Sequence, residues 1–541
     1  MHPLPRVLFV GLLLLVLSAC RRDEAVQAQP LRVQLDPAAA TQPVSGRLLM
    51  FAMPAAEAMA QAKDGRIEAV DTSPFNPTQV SVAATELTHL VPGAKVIVDT
   101  ETAAFPAGFS QLLPGEYAVQ AVLDVNHDYN YHGRGAGDLV SDVATIRLGD
   151  GGAPVLPLVK TLPARGPWQL SERAPQAMRD ALPLAREQAK PIDFTSPVLS
   201  AFHGRPIAMR GWVLPPPDYD ADPQRRYPTV YYTHGFGGDA NSLTNAVVSV
   251  DMAMRSGQMP PMIWVFLDES GASGTHEFAD SVNNGPWGTA LTSELIPALE
   301  QRYRMDASAS GRFLVGHSSG GWATLWLQVA YPKLFGGTWS TSPDPSDFHD
   351  FTGVDLYAAD ANFYHTPDGA ARPLMRDKGK VLATVEQFAR LERALGAYGG
   401  QMASFEWVFS PRGEDGRPMP MFDRDTGKVD ADVVAYWREH YDIAHKLRTQ
   451  WPQLKADLDG KIHVIVGDAD TFYLDGAARR LQATLQALGA KTDVRFLPGR
   501  THFDLYREGD DDSALLKKIA WEMHALARPE VPVPQAASSA R

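Results

Sequence analysis

Cysteine is nearly absent from this chain: Cys20 is the only one in 541 residues. No disulfide can therefore form within the chain, whatever the redox state around it. Long apolar runs are scarce as well. The run Val7–Leu17 is shorter than the roughly 18 residues needed to cross a bilayer as a helix. Positive charge is outweighed. The 50 Lys and Arg against 63 Asp and Glu leave a formal net charge of −13, which argues against nucleic acid or an anionic membrane surface as the main partner. The chain does have 45% hydrophobic and 21% charged residues, the balance of a soluble globular protein able to bury a large core. Its length suggests about two to four domains.

The N-terminus reads as a targeting segment over residues 1–19. One positive charge in Met1–Arg6 precedes the apolar run, and Leu17-Ser18-Ala19-Cys20 closes it. Those last residues resemble a bacterial lipobox. The resemblance implies acylation of Cys20, and Arg21 in place of an aspartate implies an outer-membrane lipoprotein facing the periplasm or the exterior. Residues 20–30 would be a polar tether, with several lipid chains anchoring the protein while the rest stays in water.

Residues 31–160 carry short segments rich in Val, Ile, Leu and Thr, separated by Pro and Gly turns. That spacing predicts a small all-β sandwich with an accessory role. One of its loops places Asp124, Asn126, Asp128 and Asn130 at alternate positions. Oxygens so spaced suit a hard cation such as calcium, and they equally suit a hairpin loop that caps its own backbone. The EF-hand pattern is not met, because Tyr129 stands where glycine is required.

Residues 161–194 mix Pro, Arg and Ala and read as a connector with one helix over Ala174–Gln188. From 195 to 528 strands alternate with helical stretches, which predicts an α/β domain with a mostly parallel sheet. An insertion over about 342–458 interrupts it, and the Pro/Ala/Ser-rich tail 529–541 reads as disordered.

The densest signal lies in this α/β region. The apolar strand Phe313-Leu314-Val315 runs into Gly316-His317-Ser318-Ser319-Gly320, and helical spacing of Trp322, Leu325, Trp326 and Val329 follows. A G-x-S-x-G sequence between strand and helix is the pattern of a nucleophile elbow, with glycines where side chains would collide. His317 reads as shaping that turn. Attack on an ester carbonyl also needs a base, a group to orient it, and donors for the oxyanion. The strand Lys461–Val466 ends in Gly467-Asp468-Ala469-Asp470, so either aspartate could be the acid; Asp470 is preferred, with Asp468 the alternative. The segment Asp493–Leu497 leads to His502, the candidate base. The amide of Ser319 is one oxyanion donor, and the loop His234-Gly-Phe-Gly-Gly238 offers Phe236 or Gly237 as the second.

Four separated motifs, Tyr227–Gly238, Asn284–Gly288 with Glu294–Pro297, Val315–Gly321 and Gly499–His502, together resemble the putative esterase family. That group includes S-formylglutathione hydrolases, feruloyl esterases, enterochelin esterases and mycolyltransferases. The resemblance covers roughly Ser196 to Ala527 and implies the α/β-hydrolase fold with a Ser318–Asp470–His502 triad. About 150 residues separate Ser318 from Asp470, more than such cores usually need, so the insertion is expected to form a lid or side wall.

The expected function is hydrolysis of a carboxylic ester through an acyl-enzyme, on a small-molecule or glycan-linked substrate, with no cofactor, no metal at the catalytic site and no nucleic-acid partner. Acyl transfer on the same fold, and a non-catalytic envelope binding protein, are the alternatives.

Overall fold

The computed structural model describes residues 30–148, 154–164, 166–170 and 174–533. Cys20, the targeting segment and most of the tail lie outside the described residues.

Nine strands build the N-terminal region: β1 (Arg32–Leu35), β2 (Val44–Pro54), β3 (Ser81–Leu90), β4 (Lys95–Ile97), β5 (Ala104–Phe105), β6 (Gly115–Asp124), β7 (Leu139–Ser141), β8 (Ala144–Leu148) and β9 (Val155–Thr161). They are hydrogen-bonded into one network, in the order β4-β1-β9-β7-β6-β2-β3-β5. The expectation was a sandwich; what joins its strands into a single network is β6. Its first half pairs with β8 and its second half with β7. The unbroken apolar run in β2 follows from burial of both its faces. Leu48, Met50 and Ala52 point into the region's own core. Leu49, Phe51 and Met53 point the other way, into a second cluster shared with the C-terminal region.

The C-terminal region is organised on an eight-stranded sheet of β10 (Lys190–Thr195), β11 (Ala208–Leu214), β12 (Thr229–Thr233), β13 (Ile263–Leu267), β14 (Arg312–His317), β15 (Gly337–Thr341), β16 (Ile462–Gly467) and β17 (Thr492–Leu497). Its order is β10-β11-β13-β12-β14-β15-β16-β17, with antiparallel pairing only at β10–β11 and β11–β13. Strand β10 was expected to belong to the connector. Its polar, Pro-containing sequence suits a sheet edge, and it pairs along its whole length with β11. The α/β domain therefore starts near residue 190.

Strand β12 is flanked by β13 on one side and β14 on the other, so the order of the chain reverses there. Such a switch point opens a crevice at the carboxyl ends of the strands. Helix α1 (Ala240–Arg255) follows β12, and its N-terminus is fixed by an Asp239–Ser242 capping box. Helix α2 (Ser319–Ala330) follows β14, and its residues Ser319–Val329 are all buried. The amphipathic stretch Ala290–Tyr303 is not one regular helix. A π-turn occupies Leu291–Leu295 ahead of Pro297, whose ring nitrogen has no hydrogen to continue the α ladder.

The insertion folds as a packed wall. Trp437, Phe351, Phe405 and Phe409 join Trp322 of α2 in the largest apolar cluster. Its helix α3 (Val385–Leu395), started by a Thr384–Gln387 capping box, turns Leu391, Ala394 and Leu395 onto the N-terminal region at β3 and β5.

Candidate active site

Ser318 sits at the junction of β14 and α2 with φ 61° and ψ −125°. A non-glycine residue held at positive φ is strained and needs surrounding structure to hold it there. Here the Ser318 amide donates to Thr341 O of the neighbouring strand at 3.0 Å. The flanking glycines are sterically required. A Cβ on Gly316 would lie 2.1 Å from Gly320 O, and one on Gly320 would lie 2.2 Å from His234 O. The turn can form only without those side chains.

Asp470 lies just past the end of β16, and His502 in the loop after β17. His502 Nδ1 is 2.9 Å from Asp470 Oδ2. A carboxylate can only accept, so Nδ1 carries the hydrogen and Nε2 is left free to act as a base. The other oxygen of Asp470 accepts the Phe472 amide at 2.9 Å. Burial pushes the Asp470 carboxyl up, but the charge and hydrogen bond of His502, with the Phe472 amide, hold it below its ordinary value. Asp468 is exposed and accepts the Gly499 amide at 2.7 Å, which braces the loop leading to His502. The structure thus brings Asp470, and not Asp468, to the imidazole.

Ser318 and His502 line one cavity of 630 Å³ together with Phe236 and Gly237. Its walls are largely apolar. The insertion contributes Leu374, Met375, Phe388, Met402 and Phe405, so it forms the expected side wall.

The glycine loop after β12 lies against the elbow: a Cβ on Gly235 would be 3.0 Å from the Ser318 Cβ. Gly237 takes φ 78°, and the Gly238 amide donates to Gly235 O at 3.1 Å, closing a tight turn. His234 anchors it. Its Nδ1 is 2.8 Å from Gly235 O and its Nε2 is 3.1 Å from Asp268 Oδ1. Burial pulls its pKa down, but the bond to Asp268 and the charge of Glu269 outweigh that and raise it. The Glu269 amide also lies 3.1 Å from Nε2, so His234 ties the loop to the end of β13. The Ser319 amide stands at the first turn of α2, where the helix dipole favours negative charge.

Further ionisable groups surround the serine. The His317 ring is 4.4 Å from that of His502, and burial and the His502 charge push its pKa down to about 3, so it stays neutral. Asp344 lines the cavity and accepts the Ser319 hydroxyl at 2.6 Å. Burial, opposed by that hydroxyl, moves its pKa up to about 6. Behind it lie the fully buried Glu277 and Glu269. Their link to the site is spatial, across separate loops, so no sequence pattern announces them.

Of the four loop residues considered for a cation, Asn126 donates its Nδ2 to Ala136 O, and Asp128 Oδ1 is buried with no hydrogen-bond partner among the described residues. Asp124 accepts the backbone amides of Asn126, Asp128 and Tyr129, and Asn130 Nδ2 donates to Glu392 O and Gly396 O of the C-terminal region. Among the described residues, the group of acidic and histidine side chains spaced closely enough to hold a metal is Asp347, His349 and Asp442. Arg448 already pairs with Asp347 there, and Tyr357 donates to Asp442.

The sheet order and the serine turn together define an α/β-hydrolase. Residues 206–506, over half of the chain, match the model of the family described as "Putative esterase", and the chain belongs to that family. It is 30% identical over 148 residues to curated esterases of Mycobacterium tuberculosis strains CDC 1551 / Oshkosh and ATCC 25618 / H37Rv. That stretch is 26% of this chain and spans 31% of the length of those relatives. Similar solved structures include a ferulic acid esterase, at 15% identity and TM-score 0.37 over 63% of this chain and 99% of that one. An S-formylglutathione hydrolase from Agrobacterium tumefaciens is 14% identical, with TM-score 0.37, over 63% of this chain and 94% of that one.

Proposed function

We propose that the protein hydrolyses carboxylic esters by nucleophilic catalysis at Ser318. The observation that carries this reading is the buried His502–Asp470 pair, whose imidazole lines one cavity with a serine on a strained strand-to-helix turn. His502 Nε2 takes the proton of the Ser318 hydroxyl as its oxygen attacks the acyl carbon. Asp470 keeps the imidazole in the required tautomer and stabilises the imidazolium that forms. The Ser319 amide and the Phe236 amide, with Gly237 as the alternative, hold the oxyanion. His502 then protonates the departing alcohol, and water, deprotonated by the same imidazole, releases the acid from the acyl-enzyme.

The apolar walls favour an ester with an apolar group. The Leu-Ser-Ala-Cys20 motif supports a lipoprotein held at the cell envelope, on its outer membrane. Ser318→Ala is expected to abolish both hydrolysis of p-nitrophenyl esters and labelling by a fluorophosphonate, with the fold retained. An active mutant rejects the assignment; a wild type that is neither labelled nor active favours a binding protein. Products formed with added acceptor alcohols separate hydrolysis from acyl transfer.

A further inference from the structure

The N-terminal region does more than sit beside the catalytic region. Pro74 and Phe75, in the loop before β3, line the cavity that holds Ser318. The Phe75 ring is 5.6 Å from Phe503 and 6.4 Å from Phe472, and those rings lie 5.4 Å and 4.8 Å from His502. Phe75 is 38% exposed, so it forms an open rim and not part of a closed core. A second segment reaches the glycine loop. The Tyr131 hydroxyl donates to Gly238 O at 2.7 Å, and its ring meets Phe236 edge-on at 5.0 Å.

The two regions are docked firmly. Arg47 donates to Ala394 O at 2.8 Å, Asn130 bonds the end of α3, and Leu391 and Leu395 join Phe51 and Val82 in one buried apolar cluster. A buried apolar contact of this kind resists the relative motion expected of tethered domains. A second cavity of 300 Å³ lies between Tyr129–Tyr131 and α3, and shares Pro74, Phe236, Phe388 and Gln401 as walls with the first.

We propose that the N-terminal region completes the ester site: Phe75 is a substrate-contacting residue that selects esters bearing a large apolar group, aryl or long alkyl, and Tyr131 is a positioning residue for the oxyanion loop. This rests on the esterase reading above. A small acyl group such as acetyl fills little of the cavity and cannot reach the Phe75 rim. A larger group lies against it and loses contact area when the ring is removed. Tyr131 touches no reacting atom; it fixes the backbone that carries the Phe236 amide, so its loss should act on the chemical step.

The test uses the full chain with p-nitrophenyl acetate, octanoate and cinnamate. In Phe75→Ala the ratio of kcat/KM for octanoate or cinnamate over acetate should fall about ten-fold. Phe75→Leu keeps the bulk and loses the ring, so a fall confined to cinnamate identifies an aryl ligand and a fall confined to octanoate a long alkyl chain. Tyr131→Phe should lower kcat roughly five- to ten-fold on all three with KM nearly constant; a general loosening of the fold would move both. If the wild type is active and neither the selectivity ratio of Phe75→Ala nor the kcat of Tyr131→Phe changes by two-fold, this proposal is overturned and the esterase reading stands. If the wild type hydrolyses none of the three, both fall.

Discussion

Nδ1 of His502 lies 2.9 Å from Oδ2 of Asp470, in a pocket where the imidazole keeps 4% of its surface and the carboxylate none. At that depth the hydrogen bond is not weakened by water, and the ring has a single tautomer. The hydrogen is on the nitrogen that faces away from the cavity, which leaves the other nitrogen to receive a proton.

Replacing the carboxylate with an amide should therefore damage catalysis through the tautomer. Asp470→Asn is expected to lower kcat by about 10³–10⁴-fold. Asp468→Asn keeps an oxygen for the Gly499 amide and should stay within a few-fold of the wild type. Steady-state kinetics on one short ester distinguish the two aspartates; comparable losses in both would reassign the acid.

The flanking glycines make a steric prediction with an internal contrast. Gly316→Ala would press a methyl group to 2.1 Å from a backbone oxygen, so the elbow must distort. Activity should fall by more than about 100-fold, since a shift of ~1 Å at a reacting group costs that much. Gly237→Ala meets nothing within 4 Å and suffers only from its φ of 78°. Its cost in stability should be about 1–2 kcal/mol, measured by urea unfolding.

Burial beside Asp344 and Asp268 moves Glu269 up from an ordinary 4.5 to about 8, with the charge of His234 opposing the shift. Neither of its carboxyl oxygens has a hydrogen-bond partner among the described residues. A raised folded-state pKa contributes stability that is fully present below pH 4.5 and is lost as pH rises through 8. Glu269→Gln removes that loss. The variant should match the wild type near pH 4 and exceed it by on the order of a few kcal/mol near pH 9. Thermal unfolding across that range checks the sign; parallel profiles would mean Glu269 does not titrate there.

What the sequence made legible was whatever is local. The G-x-S-x-G turn, the aspartates after β16 and His502 after β17 each announce themselves through a strand followed by a short loop. What stayed hidden depends on contacts between distant segments. Leu391, Ala394 and Leu395 read as an ordinary apolar helix face, and nothing in Val385–Leu395 says that the face covers the N-terminal sheet. Tyr131 and Phe75 look like loop aromatics until the two regions are docked. Asp344, Glu269 and Glu277 lie on separate loops and meet only in the fold. Strand β10 reads as connector because edge strands lack the apolar signature of central ones.

The docking of the N-terminal sheet against α3 also bears on how the protein unfolds. Phe51 is fully buried, stacks on Tyr129 at 5.6 Å, and shares its cluster with Leu391 and Leu395. If the N-terminal region were an independent module, weakening its core would melt it alone and leave ester hydrolysis intact to the usual temperature. The shared cluster predicts coupling instead. Phe51→Ala should cost about 3–5 kcal/mol, and the temperature at which hydrolysis is lost should fall together with the melting of the β-rich region. Calorimetry and residual activity, followed on the same heated samples, make the comparison. An early transition that spares activity would mean that α3 holds its place without the N-terminal sheet.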